Sequence, residues 1–164
     1  DRVAPVGPVY QAGTLSGNPL AVAAGLECLR GLGIGNPYEK LEMLGSRLER
    51  GIKETAVKRG ARVQVNRVGS MLTLFFADEA VSDFPSAKAS DTGRFEAFFR
   101  KMLAEGIYWP PSQFEAAFIS TVHTEADIDR TIAIAEGRHI TSAFDLERPP
   151  QRTQMINVQD DCAT

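Results

Sequence analysis

Apolar and polar positions along this chain of 164 residues follow two periods, and the switches between them mark its elements. Residues 1–16 show neither. Pro5, Gly7, Pro8 and Gly13 punctuate a stretch without a regular apolar face, which reads as an extended loop. Asn18-Pro19 then supplies a helix start: the asparagine side chain can accept from free amides, and proline suits a first-turn position that needs no N–H. Leu20, Val22, Ala23, Ala24, Leu26 and Leu29 follow, apolar on nearly every side, so this helix is expected to be buried over most of its surface. Gly31, Gly33 and Gly35 are expected to end it from about Leu32.

Asn36-Pro37 repeats the start signal. Tyr38, Leu41, Leu44, Leu48 and Ile52 recur at spacings of three and four, predicting an amphipathic helix to about Arg59, closed by Gly60. The period then drops to two. Arg62–Val68 alternates as a strand, Gly69-Ser70 turns the chain, and Met71–Phe76 forms a second, more buried strand. Residues 78–91 read as a polar loop around Pro85. Asp91 caps a third helix with Phe95, Phe98, Phe99, Met102 and Leu103 on its apolar face, stopped by Gly106. Ile107–Trp109 and Ala117–Val122 are expected to be short strands. Thr124 with Asp127 resembles a capping box opening a last helix through Ile128, Ile132, Ile134 and Ala135. The predicted order αα-ββ-α-ββ-α suggests an α+β fold, a mainly antiparallel sheet with helices on one face.

Composition adds limits. Eighteen basic against 21 acidic residues leave a net charge of −3, which disfavours nucleic acid or an anionic membrane surface as partner. No stretch approaches the roughly 18 apolar residues that span a bilayer, and no basic-then-apolar leader opens the chain. Cys28 and Cys162 fit neither a disulfide framework nor a metal cluster. A soluble protein of a reducing compartment is expected. Both ends look cut: Asp1 opens without a methionine, and residues 141–164, with Pro149-Pro150, lose all periodicity and read as a disordered or atypical tail.

Most familiar chemistry fails quickly. His123 and His139 are the only histidines; the second suits a helix C-terminus, and a structural role is the expectation for the first. There is no P-loop, dinucleotide fingerprint or nucleophile elbow. Two segments remain. Tyr10-Gln11-Ala12-Gly13-Thr14-Leu15-Ser16-Gly17-Asn18-Pro19 gathers small residues, hydroxyls and amides ahead of a helix, which makes either a phosphate-binding turn or a plain capped loop. Trp109-Pro110-Pro111-Ser112-Gln113-Phe114-Glu115-Ala116-Ala117-Phe118 is a stiff, aromatic-flanked turn with one carboxylate, on physics alone no more than a connector.

Taken in order, Gly13–Ala21, Gly69–Phe76 and Pro111–Phe118 resemble the glutamate-1-semialdehyde 2,1-aminomutases. These are pyridoxal-phosphate enzymes of the class III aminotransferase group, with the aspartate-aminotransferase-type fold. The likeness runs from Asp1 to about Ile140. The first motif is shared loosely by many class III aminotransferases, whereas the Pro-Ser-Gln-Phe-Glu run is particular to the aminomutases. The resemblance implies that Gly13 and Thr14 contact the phosphate of the cofactor, pyridoxal 5'-phosphate or its pyridoxamine form, bound to the neighbouring subunit of a homodimer. It implies that Glu115 lies beside substrate and cofactor, with Ser112 and Gln113 fixing its loop, and that no metal takes part. The reaction implied is conversion of glutamate-1-semialdehyde to 5-aminolevulinate for tetrapyrrole synthesis, through 4,5-diaminovalerate, in the cytoplasm or a plastid stroma.

The same likeness divides the chain into the end of a large cofactor-binding domain over 1–35, a small C-terminal α+β domain over 36–140, and the tail. The chemistry needs a Schiff-base lysine, and Lys40, Lys53, Lys58, Lys88 and Lys101 all fall on helix faces or in the polar loop. In the family that lysine precedes the stretch matching Asp1. The chain therefore reads as the C-terminal portion of such an enzyme, inactive alone. The other readings are a segment of a different class III aminotransferase and a non-catalytic assembly module built on this scaffold.

Overall fold

The computed structural model describes residues 1–137; the expectations for His139 and for residues 141–164 lie outside them. The chain divides into two compact units, Asp1–Pro37 and Tyr38 onward.

In the first unit a parallel bridge between Val3 and Val9 closes the opening loop. Helix α1 (Pro19–Gly35) follows, its first turn fixed by Asn18 and Pro19 as expected. It runs on through Gly31 and Gly33. Glycine lowers helix propensity by only about 1 kcal/mol per residue, too little here to break a helix already under way. The stop comes at Asn36, which adopts the left-handed conformation (φ 36°, ψ 60°) that asparagine tolerates better than most residues. Asn36 thus ends α1 rather than opening the next helix. The expected burial is not found: no residue of α1 is buried, and Leu20 and Ile34 are 80% and 88% exposed. The rest of this unit forms only turns and one bridge, so it supplies no element to cover an all-round apolar helix.

The second unit is built on α2 (Tyr38–Lys58), which buries Leu44, Leu48, Ile52 and Ala56 at the predicted spacing. It lies against β1 (Gln64–Val68), β2 (Met71–Phe75) and α5 (Glu125–Glu136). Two of its glycines allow that approach. A Cβ on Gly45 would sit 2.4 Å from the Gly69 carbonyl oxygen, and one on Gly51 would sit 2.3 Å from Ile132 Cδ1. The sheet is antiparallel in the order β1-β2-β3, with Val68 opposite Met71 and Leu72 opposite Ala117 of β3 (Ala117–Phe118). Gly69 takes φ +58° at the first position of the two-residue hairpin loop, where an L side chain would be strained. Helix α4 (Thr92–Ala104) is capped by Asp91 and buries Phe95, Phe98 and Met102, while Leu103 stays 45% exposed.

Three expectations change. The stretch read as a polar loop contains a short helix, α3 (Phe84–Lys88), capped reciprocally by Asp83 and Ser86. Ile107–Trp109 is not a strand. Its tryptophan is buried with the ring at 88° to Phe98 and 5.6 Å between centroids, and Pro110-Pro111 beyond it have no N–H to offer a ladder. The strand expected over Ala117–Val122 pairs at two residues only, because the chain turns at once: the His123 amide donates to the Ser120 carbonyl. The observed order is αα-ββ-αα-β-α, an α+β arrangement. Among the described residues no helix is long and apolar enough to cross a membrane.

Candidate functional site

The candidate residues fall in both units, Gly13 and Thr14 in the first and Glu115 in the second. The first group sits on consecutive turns. The Ser16 amide donates to the Gly13 carbonyl at 2.9 Å and the Asn18 amide to the Leu15 carbonyl at 3.1 Å, with Gly17 at φ +77°. A Cβ on Gly13 would come within 2.5 Å of Ser16 Oγ, so a side chain at 13 would require the Ser16 hydroxyl to turn away. Asn18 Oδ1 accepts from the Leu20 and Ala21 amides at 3.1 Å each, and Pro19 has no N–H. Two amides of the α1 end are therefore already taken. An anion here would draw on the exposed Thr14 hydroxyl, the Ser16 hydroxyl and the turn amides other than those of Ser16 and Asn18. No carboxylate stands in the first turn of α1 to repel it, and this donor set fits a phosphate.

Glu115 lies on a turn between two buried anchors. Upstream, the Ile107 amide donates to the Met102 carbonyl at 2.8 Å and Trp109 is 5% exposed. Downstream, β3 pairs with β2 and the Ile119 amide donates to the Ser70 carbonyl at 3.0 Å. Between them the Glu115 amide donates to the Ser112 carbonyl at 3.1 Å, and the Phe114 amide to Ser112 Oγ at 3.2 Å. Gln113 turns inward: it is 2% exposed, and its Nε2 donates to the Ala87 carbonyl at 3.1 Å. The Phe114 ring lies 6.0 Å from that of Phe84. The turn thus rests on α3, the helix that the sequence pattern did not reveal, and it leaves Glu115 exposed.

A cleft of about 420 Å³ opens beside it, lined among others by Tyr108, Trp109, Pro111, Glu115, His123 and Thr131. An apolar wall with one carboxylate is suited to hold a short, amine-bearing molecule by its charged end. His123 is held within its own turn: Nδ1 lies 2.9 Å from both the amide and the hydroxyl of Ser120. Because a backbone amide only donates, Nδ1 accepts and a neutral ring carries its proton on Nε2. That is the structural role expected of it. All five lysines lie on helices; Lys40 Nζ donates to the Thr121 carbonyl at 2.9 Å, Lys53 pairs with Glu49 at 2.7 Å, and Lys58 pairs with Glu136 at 3.2 Å.

No protein-family model matches the chain. Individual proteins do. The glutamate-1-semialdehyde 2,1-aminomutase of Anaeromyxobacter sp. (strain Fw109-5) is 57% identical over 143 residues, 87% of this chain and 33% of that protein. Those of Persephonella marina and Sorangium cellulosum are 58% and 60% identical over 83% and 80% of the chain. The chain spans about a third of the length of these relatives (30–33%). Among solved structures, a β-phenylalanine aminotransferase from Variovorax paradoxus superposes with a TM-score of 0.63 at 29% identity, over 82% of this chain and 31% of that one. An omega-transaminase from Sphaerobacter thermophilus gives 0.66 at 20% identity over the same shares, a likeness of fold. The architecture is therefore that of one part of the transaminase fold.

Proposed function

We propose that this chain, whose sequence belongs with the glutamate-1-semialdehyde 2,1-aminomutases, is the C-terminal portion of a pyridoxal-phosphate enzyme that converts glutamate-1-semialdehyde to 5-aminolevulinate. The observation carrying this reading is identity of 57–60% over at least 80% of the chain. When bound, pyridoxal phosphate supplies the electron sink that makes a proton on an amine-bearing carbon removable.

The chain's own residues bind and orient. Thr14, through its hydroxyl, and the turn that Gly13 begins would hold the cofactor's phosphate, serving the active site of a second subunit in a homodimer. Glu115 would pair with an amino group of the substrate and set which amine-bearing carbon faces the reacting centre. The buried Trp109 would supply an apolar wall beside that ion pair. The lysine required for the chemistry lies in this reading outside Asp1–Thr164. Exposed, unpaired Cys28 suits a reducing compartment, and residence in the cytoplasm, or in a plastid stroma, belongs to the proposal.

The test joins this chain to the N-terminal portion of a relative, up to the point where the two sequences begin to match. The joined protein should bind pyridoxal phosphate and absorb between about 330 and 430 nm, and should form 5-aminolevulinate; the chain alone should do neither. A cofactor band in the chain alone, fixed by borohydride to one of its five lysines, would overturn the reading.

A further inference from the structure

Three features of the Glu115 turn go together. Its side chains differ in fate, Gln113 buried and Phe114 and Glu115 exposed. Among the described residues two long-range side-chain bonds tie it down: Gln113 Nε2 donates to the Ala87 carbonyl at the end of α3 at 3.1 Å, and Thr73 Oγ1 of β2 donates to the Glu115 carbonyl at 3.5 Å. And Gln113 Oε1, fully buried, has no hydrogen-bond partner among the described residues. A buried amide with an unsatisfied acceptor is destabilising relative to a satisfied one, and an apolar side chain of the same volume would avoid that cost. The amide is thus a poor choice for stability. It does supply a directional donor two residues before the carboxylate, on a carbonyl held by a capped helix.

We infer that Gln113 is a positioning residue, which fixes the direction in which Glu115 is presented by tying its turn to α3. This rests on the role proposed above for Glu115. The Ser112 hydroxyl completes the device from the other side by accepting the Phe114 amide. Trp109 and Ile119 hold the ends of the segment and the Thr73 hydroxyl holds the Glu115 carbonyl from β2, which leaves the buried amide at 113 as the tie of its middle to α3. Misplacing a reacting group by about 1 Å can cost up to 10²-fold in rate.

Two measurements test it. In the joined enzyme, Q113M keeps the length and volume of the side chain and removes the donor; kcat should fall about tenfold or more with little change in KM. Because Gln113 acts through Glu115, Q113M added to E115Q should cost nothing beyond E115Q alone, a non-additive cycle. An unchanged kcat, or losses that multiply, would overturn the inference. In the 164-residue chain itself, amide hydrogen exchange over 110–118 should quicken in Q113M while α2 and α5 keep their protection. Loss of protection throughout the second unit would instead make Gln113 a general stability residue and overturn its positioning role. Should Q113M fail to fold, S112A must give the same local pattern. The exchange measurement does not involve aminomutase activity, so an inactive joined enzyme with the local pattern intact would count against the proposed reaction and not against the turn.

Discussion

Gly45 and Gly51 both let α2 pack closely, but they face different neighbours. A methyl at 45 meets the Gly69 carbonyl, part of a hairpin whose register is fixed, whereas a methyl at 51 meets the end of the Ile132 side chain. Replacing a helical glycine by alanine gains up to about 1 kcal/mol in helix propensity, set against overpacking costs of about 1–3 kcal/mol. G45A should therefore lower the urea midpoint clearly, and G51A by less or not at all; equal losses would show that Ile132 cannot yield. Single residues were also where the sequence was easiest to read. Asn18, Asp91 and Thr124 cap helices as their types and spacing require. Glu115 was legible only by resemblance, because no local pattern separates a presented carboxylate from any exposed glutamate. Gln113 was expected to fix the loop, but its partner on α3 follows from tertiary packing alone.

Among elements, α3 shows what periodicity misses. Five residues are too few for a helical repeat to register, and Pro85 reads as a loop marker although it suits a first turn. The signal available was Asp83 followed three residues later by Ser86, a capping box with serine in place of the usual glutamate. The Ser86 hydroxyl and then its backbone amide hold the Asp83 carboxyl below its ordinary value of 3.8. At the start of α5 the Thr124 amide and then its hydroxyl do the same for Asp127. Glu42 is lowered from 4.5 by its bond to Arg67, and Glu49 by Lys53 first and Arg67 second. A folded pKa below the unfolded one gives stability that is complete above the unfolded value and is lost as pH falls toward and through the folded one. The urea midpoint should hold above about pH 5.5 and decline as pH drops through 4.5 and then 3.8. In R67M the decline should be shallower, since Glu42 loses its main partner and Glu49 one of two. A decline equal to that of the parent would contradict this assignment. D83A should quicken exchange over both α3 and the Glu115 turn, because the second rests on the first.

For the whole molecule, the sequence pattern indicated α+β with an antiparallel sheet, and the element order differs at two places, the added helix α3 and the strand lost where Trp109 is buried ahead of two prolines, while β3 is cut short by the Ser120 turn. Helix α1 was predicted to be buried, yet it carries Leu20, Val22, Leu26, Leu29 and Ile34 exposed. Exposed apolar side chains gathered on one helix favour association in water. The purified chain should elute above its monomer mass, and L26E with L29E should shift it toward the monomer; an unchanged elution would place the association elsewhere. The proposed reaction is tested most directly by turnover of glutamate-1-semialdehyde by the joined protein with no external amino donor or acceptor. 5-Aminolevulinate should form from that single substrate, with a large loss on E115Q. Turnover only when an external amino donor is supplied, with E115Q unimpaired, would contradict it and would make the chain part of an ordinary aminotransferase.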